Sequence, residues 1–363
     1  MKTASFACAW AGALLLLGCG TSGSPALDGT GKGGSGGAPA GAAGTTGGAG
    51  TSGGAGTMGG AGTTGDAGTT GGAGTTGGAA GSLAGSGGAA GASICDGFAI
   101  PADHPNAATA YETTADTVTD RVTGLMWQRT IAPADTYMFR PGTSCRQQLA
   151  GFTDWRGPTV MELATIVDLT TPKPTIDAAT FPATPTGFFS TSTGVYHYDS
   201  GGNNWVVDFS TGMTMNGTPP TTYARCVRRQ TPATCYAGPR FAVSAQNGVE
   251  VVVDARTNLT WQRGLSPATV DWAGAKAYCT SLGGSFRLPS AKELLSIVDW
   301  TAPKAIDETT FPGAPSPSDL FWTATAWAGG AAGQAVTVRF GDATYTGTTP
   351  AVATEAHRVR CVM

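Results

Sequence analysis

Two glutamates recur at matching places along the chain, Glu162 in Thr159-Val-Met-Glu162-Leu163 and Glu293 in Ser290-Ala-Lys-Glu293-Leu294. Paired carboxylates can do acid–base chemistry. Here each stands three residues after a hydroxyl residue that itself follows a proline, the spacing of a helix capping box, and that position accounts for both. Asp168, Asp177, Asp299 and Asp307 recur as well and read as loop caps, with a cation site as the alternative. His104, His197 and His357 do not match between the two halves and form no ligand spacing, so no metal, cofactor or catalytic residue is expected. What the residues suit is recognition. The run Tyr196-His197-Tyr198-Asp199-Ser-Gly-Gly-Asn203-Asn204-Trp205 mixes rigid aromatic groups with adaptable amides, suited to stacking on sugar rings and bonding hydroxyls. Trp322 and Trp327 stand at the corresponding place downstream, so two ligand faces of different character are expected.

A repeat of about 130 residues must position these groups. Arg121-Val-Thr-Gly-Leu-Met-Trp127-Gln-Arg129 answers Ala255-Arg-Thr-Asn-Leu-Thr-Trp261-Gln-Arg263, and Ile176-Asp177 with Phe181-Pro182 answers Ile306-Asp307 with Phe311-Pro312. Arg225-Cys226-Val227 answers Arg360-Cys361-Val362, which sets the copies at residues 95–230 and 235–363. Each begins with alternating apolar and polar residues ending in Trp-Gln-Arg, continues through the capped helix and closes on short strands. Trp127 and Trp261 are expected in the core. In copy two Trp272, Ala275, Cys279 and Leu282 share one face of an earlier helix; in copy one the matching stretch is interrupted by Pro141-Gly142. Helices early and strands late within one unit imply an α+β fold.

Each copy carries three cysteines, Cys95, Cys145 and Cys226, then Cys235, Cys279 and Cys361. An even count in an exported chain reads as disulfides. Cys145 precedes Cys226 by 81 residues and Cys279 precedes Cys361 by 82, so these are the expected intra-copy bridges. Loops of that length correspond to about 4.5 kcal/mol in the chain-entropy account. Cys95 and Cys235 then pair with each other or with another chain. A cysteine metal site would call for Cys-x-x-Cys spacing, which the sequence lacks.

The export reading comes from the first residues. Met1-Lys2, an apolar run from Phe6 to Leu17 and Leu16-Leu17-Gly18-Cys19 resemble a lipoprotein signal, with residues 1–18 removed and Cys19 lipidated. Residues 19–94 are a Gly/Thr/Ala-rich stalk whose composition implies a disordered linker. Gly at every third position from Gly41 to Gly77 leaves a collagen-like trimer as the alternative, although no proline preorganises that stretch. The expected location is the outer membrane, periplasmic or surface facing, held there by the N-terminal lipid. A formal net charge of -3 and no basic cluster longer than Arg228-Arg229 exclude nucleic acid as the expected partner and leave a polysaccharide or a surface protein.

Thr-Gly-Leu-Met-Trp-Gln-Arg, Asp154-Trp155-Arg156-x-Pro158-Thr159-x-x-Glu162-Leu163, Ile-Asp-x-x-x-Phe-Pro and the closing Arg-Cys-Val-Arg together resemble the Lcl C-terminal domain family of exported bacterial proteins. The resemblance covers both copies. It implies two tandem C-type-lectin-like domains, glycan or surface adhesion, and for the family's name-giving adhesin the binding of sulfated polysaccharides. The Glu-Pro-Asn and Trp-Asn-Asp calcium signatures of C-type lectins are absent, so binding independent of calcium is expected. A structural or protein-binding surface module is the alternative. An oxidoreductase like the formylglycine-generating enzymes, to which the fold is related, would require a reduced, copper-binding cysteine pair.

Overall fold

The computed structural model describes residues 93–363 apart from 106, 132–144, 147, 172, 196–203, 218, 220, 314, 315, 317 and 342–345. Cys19, the signal segment and the stalk therefore lie outside the described residues. The described residues fall in one compact unit, Leu83–Met363.

Copy one runs β1 (Ser93–Gly97), α1 (Ala107–Ala110), β2 (Tyr111–Thr113), β3 (Thr117–Asp120), β4 (Leu125–Gln128), α2 (Val160–Thr165), β5 (Phe188–Gly194), β6 (Asn204–Asp208), β7 (Met213–Gly217) and β8 (Val227–Arg229). Copy two follows with β9 (Thr234–Ala237), β10 (Phe241–Gln246), β11 (Val249–Asp254), β12 (Leu259–Gln262), α3 (Trp272–Ser281), α4 (Ala291–Ser296), β13 (Leu320–Ala326), β14 (Gln334–Arg339) and β15 (Gly347–Val352). Each copy has two small antiparallel sheets: β2-β3-β4-β8 and β5-β6-β7 in the first, β10-β11-β12 and β13-β14-β15 in the second. The lead-in strands β1 and β9 pair with each other.

This corrects the α+β, C-type-lectin-like expectation. Strand far outweighs helix, and the architecture is a set of small antiparallel sheets. The helix-start signals were real but the helices stop short. Thr159 and Ser290 form complete capping boxes with Glu162 and Glu293, yet α2 and α4 each last six residues. The chain then turns into a loop in which Asp168 and Asp299 accept the backbone N–H of Thr170 and Thr301. Among the described residues only α3 reaches ten residues, with Ala275 and Cys279 on its buried side as the periodicity implies. Most of the matching segment of copy one lies outside the described residues.

The two copies share one hydrophobic core, which takes in Trp127, Leu163, Phe181 and Trp205 from the first and Trp261, Leu294, Phe311 and Phe321 from the second. Their seam has an approximate two-fold relation. The Thr214 N–H donates to the Thr348 hydroxyl and the Thr348 N–H donates to the Thr214 hydroxyl, both at 3.2 Å. These threonines occupy equivalent register positions, opposite Val207 and Val338. Gly347 permits the approach: it has φ +133°, and a Cβ there would lie 2.4 Å from the Thr214 hydroxyl.

Candidate functional site

The capping glutamates are structural. Glu162 accepts two bonds from Arg156, at 2.8 and 2.6 Å, and Glu293 accepts two from Arg287, at 2.7 and 2.6 Å. Each also accepts the backbone N–H of its capping residue. Burial alone would raise the Glu162 carboxyl, but the bonds and charge of Arg156 outweigh it and hold the group below its usual range. A depressed carboxylate contributes stability above about 4.5 that is lost as pH falls through its folded value. Arg156→Ala is therefore expected to move the acid-unfolding midpoint to higher pH, followed by circular dichroism; an unchanged midpoint would remove this pair from acid stability.

All six cysteines after residue 94 are bridged: Cys145–Cys226, Cys279–Cys361 and Cys95–Cys235. The first two cross their own copies, and the third ties the two lead-ins together. Among the described residues no cluster of three His, Cys, Asp or Glu side chains is arranged to hold a metal ion.

Of the proposed ligand residues, Tyr196, His197, Tyr198, Asp199 and Asn203 lie outside the described residues. Asn204 is half-buried and its amide donates to the Thr191 carbonyl at 2.8 Å. The tryptophans offer no open stacking platform. Trp205 is 1% exposed, meets Trp300 edge-on at 4.9 Å and donates its indole N–H to the Trp300 carbonyl across the seam at 2.9 Å. Trp327, partly buried, donates across the same seam in the other direction, to the Thr211 carbonyl at 3.3 Å. Trp322 is fully buried and donates to the Val270 carbonyl at 2.8 Å. Trp205 and Trp327 thus fasten one copy to the other, while Trp322 packs the interior of copy two.

An open groove lies where the copies meet. Its volume is about 290 Å³, and copy one supplies Thr159, Met161 and Thr193. Copy two supplies Arg240, Phe241, Arg256 and the turn from Ile297 through Asp299 to Thr301. Arg240 is held by Asp254, at 3.0 and 2.8 Å, and by the Ser296 carbonyl at 2.7 Å. Arg256 donates to the Asp96 carbonyl at 3.2 Å, and burial followed by the nearby charge of Arg240 lowers its guanidinium. The groove therefore sets fixed charges of both signs beside an apolar wall.

The two-fold relation places a second groove opposite, and that one is filled by the chain itself. There Asp103 receives the hydroxyl proton of Thr325, the counterpart of Thr193. His104 Nδ1 lies 2.5 Å from Asp168, the counterpart of Asp299. Lys292, which replaces Met161, is 1% exposed and donates to the Ala102 and Thr165 carbonyls at 2.9 and 2.8 Å. Burial lowers its ammonium to about 8, against the opposing charges of Asp103, Asp168 and Asp120. The difference between the grooves was written in the sequence. Cys95 and Tyr111 are separated by fifteen residues, whereas Cys235 and the matching Phe241 are separated by five, so copy two has no segment to fill its groove. Sequence reading missed this because a length difference gains meaning only once the twin surfaces are known.

The Lcl C-terminal domain family matches the chain twice, at residues 116–228 and 250–363, more than half of its length. No curated protein matches the chain.

Proposed function

The chain belongs to the Lcl C-terminal domain family, and on that premise we propose that it is an exported, lipid-tethered binding protein that performs no reaction of its own and engages a surface macromolecule in the groove between its copies. The observation that carries this reading is the pair of related grooves, one filled by a loop segment of the same chain and the other open. A surface shaped to hold a chain segment, with its polar groups supplied by the surrounding framework, is suited to binding. Three disulfides accord with an oxidising compartment and so with export. In this reading Cys19 carries the lipid and residues 19–94 form the tether, at the outer membrane.

Polysaccharide binding through Tyr196, His197, Tyr198, Asp199 and Asn203 is a second reading. It stands on residue chemistry and is independent of the groove. One experiment separates the two. The disulfide-bonded unit 83–363 is applied to glycan and peptide arrays beside two variants, Thr193→Trp, which fills the groove, and the Tyr196→Ala, Tyr198→Ala double substitution. Hits lost only in Thr193→Trp support the groove, and hits lost only in the double variant support the loop. Hits retained by both variants, or no hits on either array, refute ligand binding at these places.

A further inference from the structure

We infer that the open groove docks an acidic peptide, anchored by a side-chain carboxylate on the Thr193 hydroxyl; this rests on the binding reading of the same groove and names its occupant. The filled groove supplies the template. Around Asp103 the chain lies with the Ala102 carbonyl on Lys292, the Asp103 carboxylate on the Thr325 hydroxyl and His104 against Asp168. Thr325 plays two roles, because its oxygen also accepts the Ala291 N–H at 2.8 Å. Thr193 makes the matching bond, accepting the Val160 N–H at 3.0 Å. Among the described residues its own proton has no acceptor, so the donor that holds Asp103 on one side stands unused on the other.

The substitutions between the grooves also favour an acidic occupant. The open groove has Arg240 and Arg256 where the register places Ala110 and Val122 on the filled side. It loses one cation, Met161 standing in place of Lys292. Asp299 and Asp307 line it, as Asp168 and Asp177 occupy the equivalent places opposite, where an aspartate is accommodated nonetheless. A carboxylate entering beside Arg240 and Arg256 would also offset the lowering of Arg256, which burial causes first and the charge of Arg240 second. A peptide is favoured over a uronic-acid glycan because the occupant of the related groove is itself a peptide segment, with the Asp103 carboxylate on the threonine equivalent to Thr193.

The probe is a fluorescent synthetic peptide with the sequence of residues 98–106, titrated by anisotropy into the disulfide-bonded unit 83–363, beside the same peptide with asparagine in place of the aspartate. The aspartate peptide is expected to bind about tenfold more tightly than the asparagine peptide, the loss of one charge-assisted bond. Thr193→Val should remove that advantage, Thr193→Ser should keep it, and Thr325→Val should leave it unchanged, with thermal melts confirming that each variant is folded. Met161→Lys should tighten binding by restoring the lysine that holds the peptide carbonyl. Equal affinities of the two peptides would overturn the carboxylate anchor while leaving the groove as a binding surface. No peptide binding alongside groove-dependent capture of an oligouronate would move the site to glycans, and no groove-dependent ligand of any kind would overturn both readings.

Discussion

Arg225→Leu and Arg360→Leu are each expected to destabilise the protein by about 3–5 kcal/mol, because several buried acceptors lose a charged donor at once. Arg225 is fully buried and donates to the Gln128 and Arg129 carbonyls at 2.7 and 2.8 Å and to the Thr184 hydroxyl at 2.7 Å. Arg360, also buried, donates from Nη1 alone to the Gln262, Arg263 and Gly264 carbonyls. Each guanidinium also lies 4.9 Å from a phenylalanine ring, Phe181 or Phe311, of the Ile-Asp-x-x-x-Phe-Pro turn. One side chain thus joins the closing segment, the end of the Trp-Gln-Arg strand and the turn that follows the capped helix. A melting temperature lower by about 10 °C is expected in each variant. Lysine should rescue little at position 225, where both terminal nitrogens of the planar fork are needed to reach three acceptors. Loss of less than about 1 kcal/mol would show that water satisfies these carbonyls once the arginine is removed.

The second large effect is expected from the Cys279→Ala, Cys361→Ala double substitution, which opens an 82-residue loop and should lower stability by about 4.5 kcal/mol. Both cysteines are completely buried, packed in a cluster with Val251, Phe286 and Trp322, so the cavity left by the sulfurs adds to the loss. Cys95–Cys235 differs in access, for both of its cysteines are exposed. Under mild reductant it should open first, with the two intra-copy bridges protected until the fold opens. Mass spectrometry after timed alkylation reads the order directly. Simultaneous loss of all three bridges would contradict it, and denaturant unfolding of the double variant gives the stability change.

The resemblance to the Lcl C-terminal domain family was legible because its blocks encode local constraints. The capping boxes at Thr159 and Ser290 need only four residues to form, and they form as read. The bridges Cys145–Cys226 and Cys279–Cys361 followed from counting against the repeat. The glutamates read as capping residues carry that role in full. Fold class was misread for a physical reason: a helix start is local, but its length is set by where the chain must turn to pack, and both capped helices end after six residues.

The tryptophans show the same division. Residue type marks Trp205 and Trp327 as large amphipathic groups equally suited to a sugar ring or to a buried seam, and sequence has no term to choose between them. Packing chose the seam, where each indole N–H finds a carbonyl of the other copy. By itself the sequence determined the two-copy organisation, the helix starts and the intra-copy disulfides, because each depends on neighbours in the chain or on a period within it. Only the tertiary structure decided that the copies share a core, that Lys292 is buried against the lead-in of the other copy, and that one of two related grooves stays open. Those features join residues more than a hundred positions apart, and their energies come from surfaces that exist only after the two copies have closed on each other.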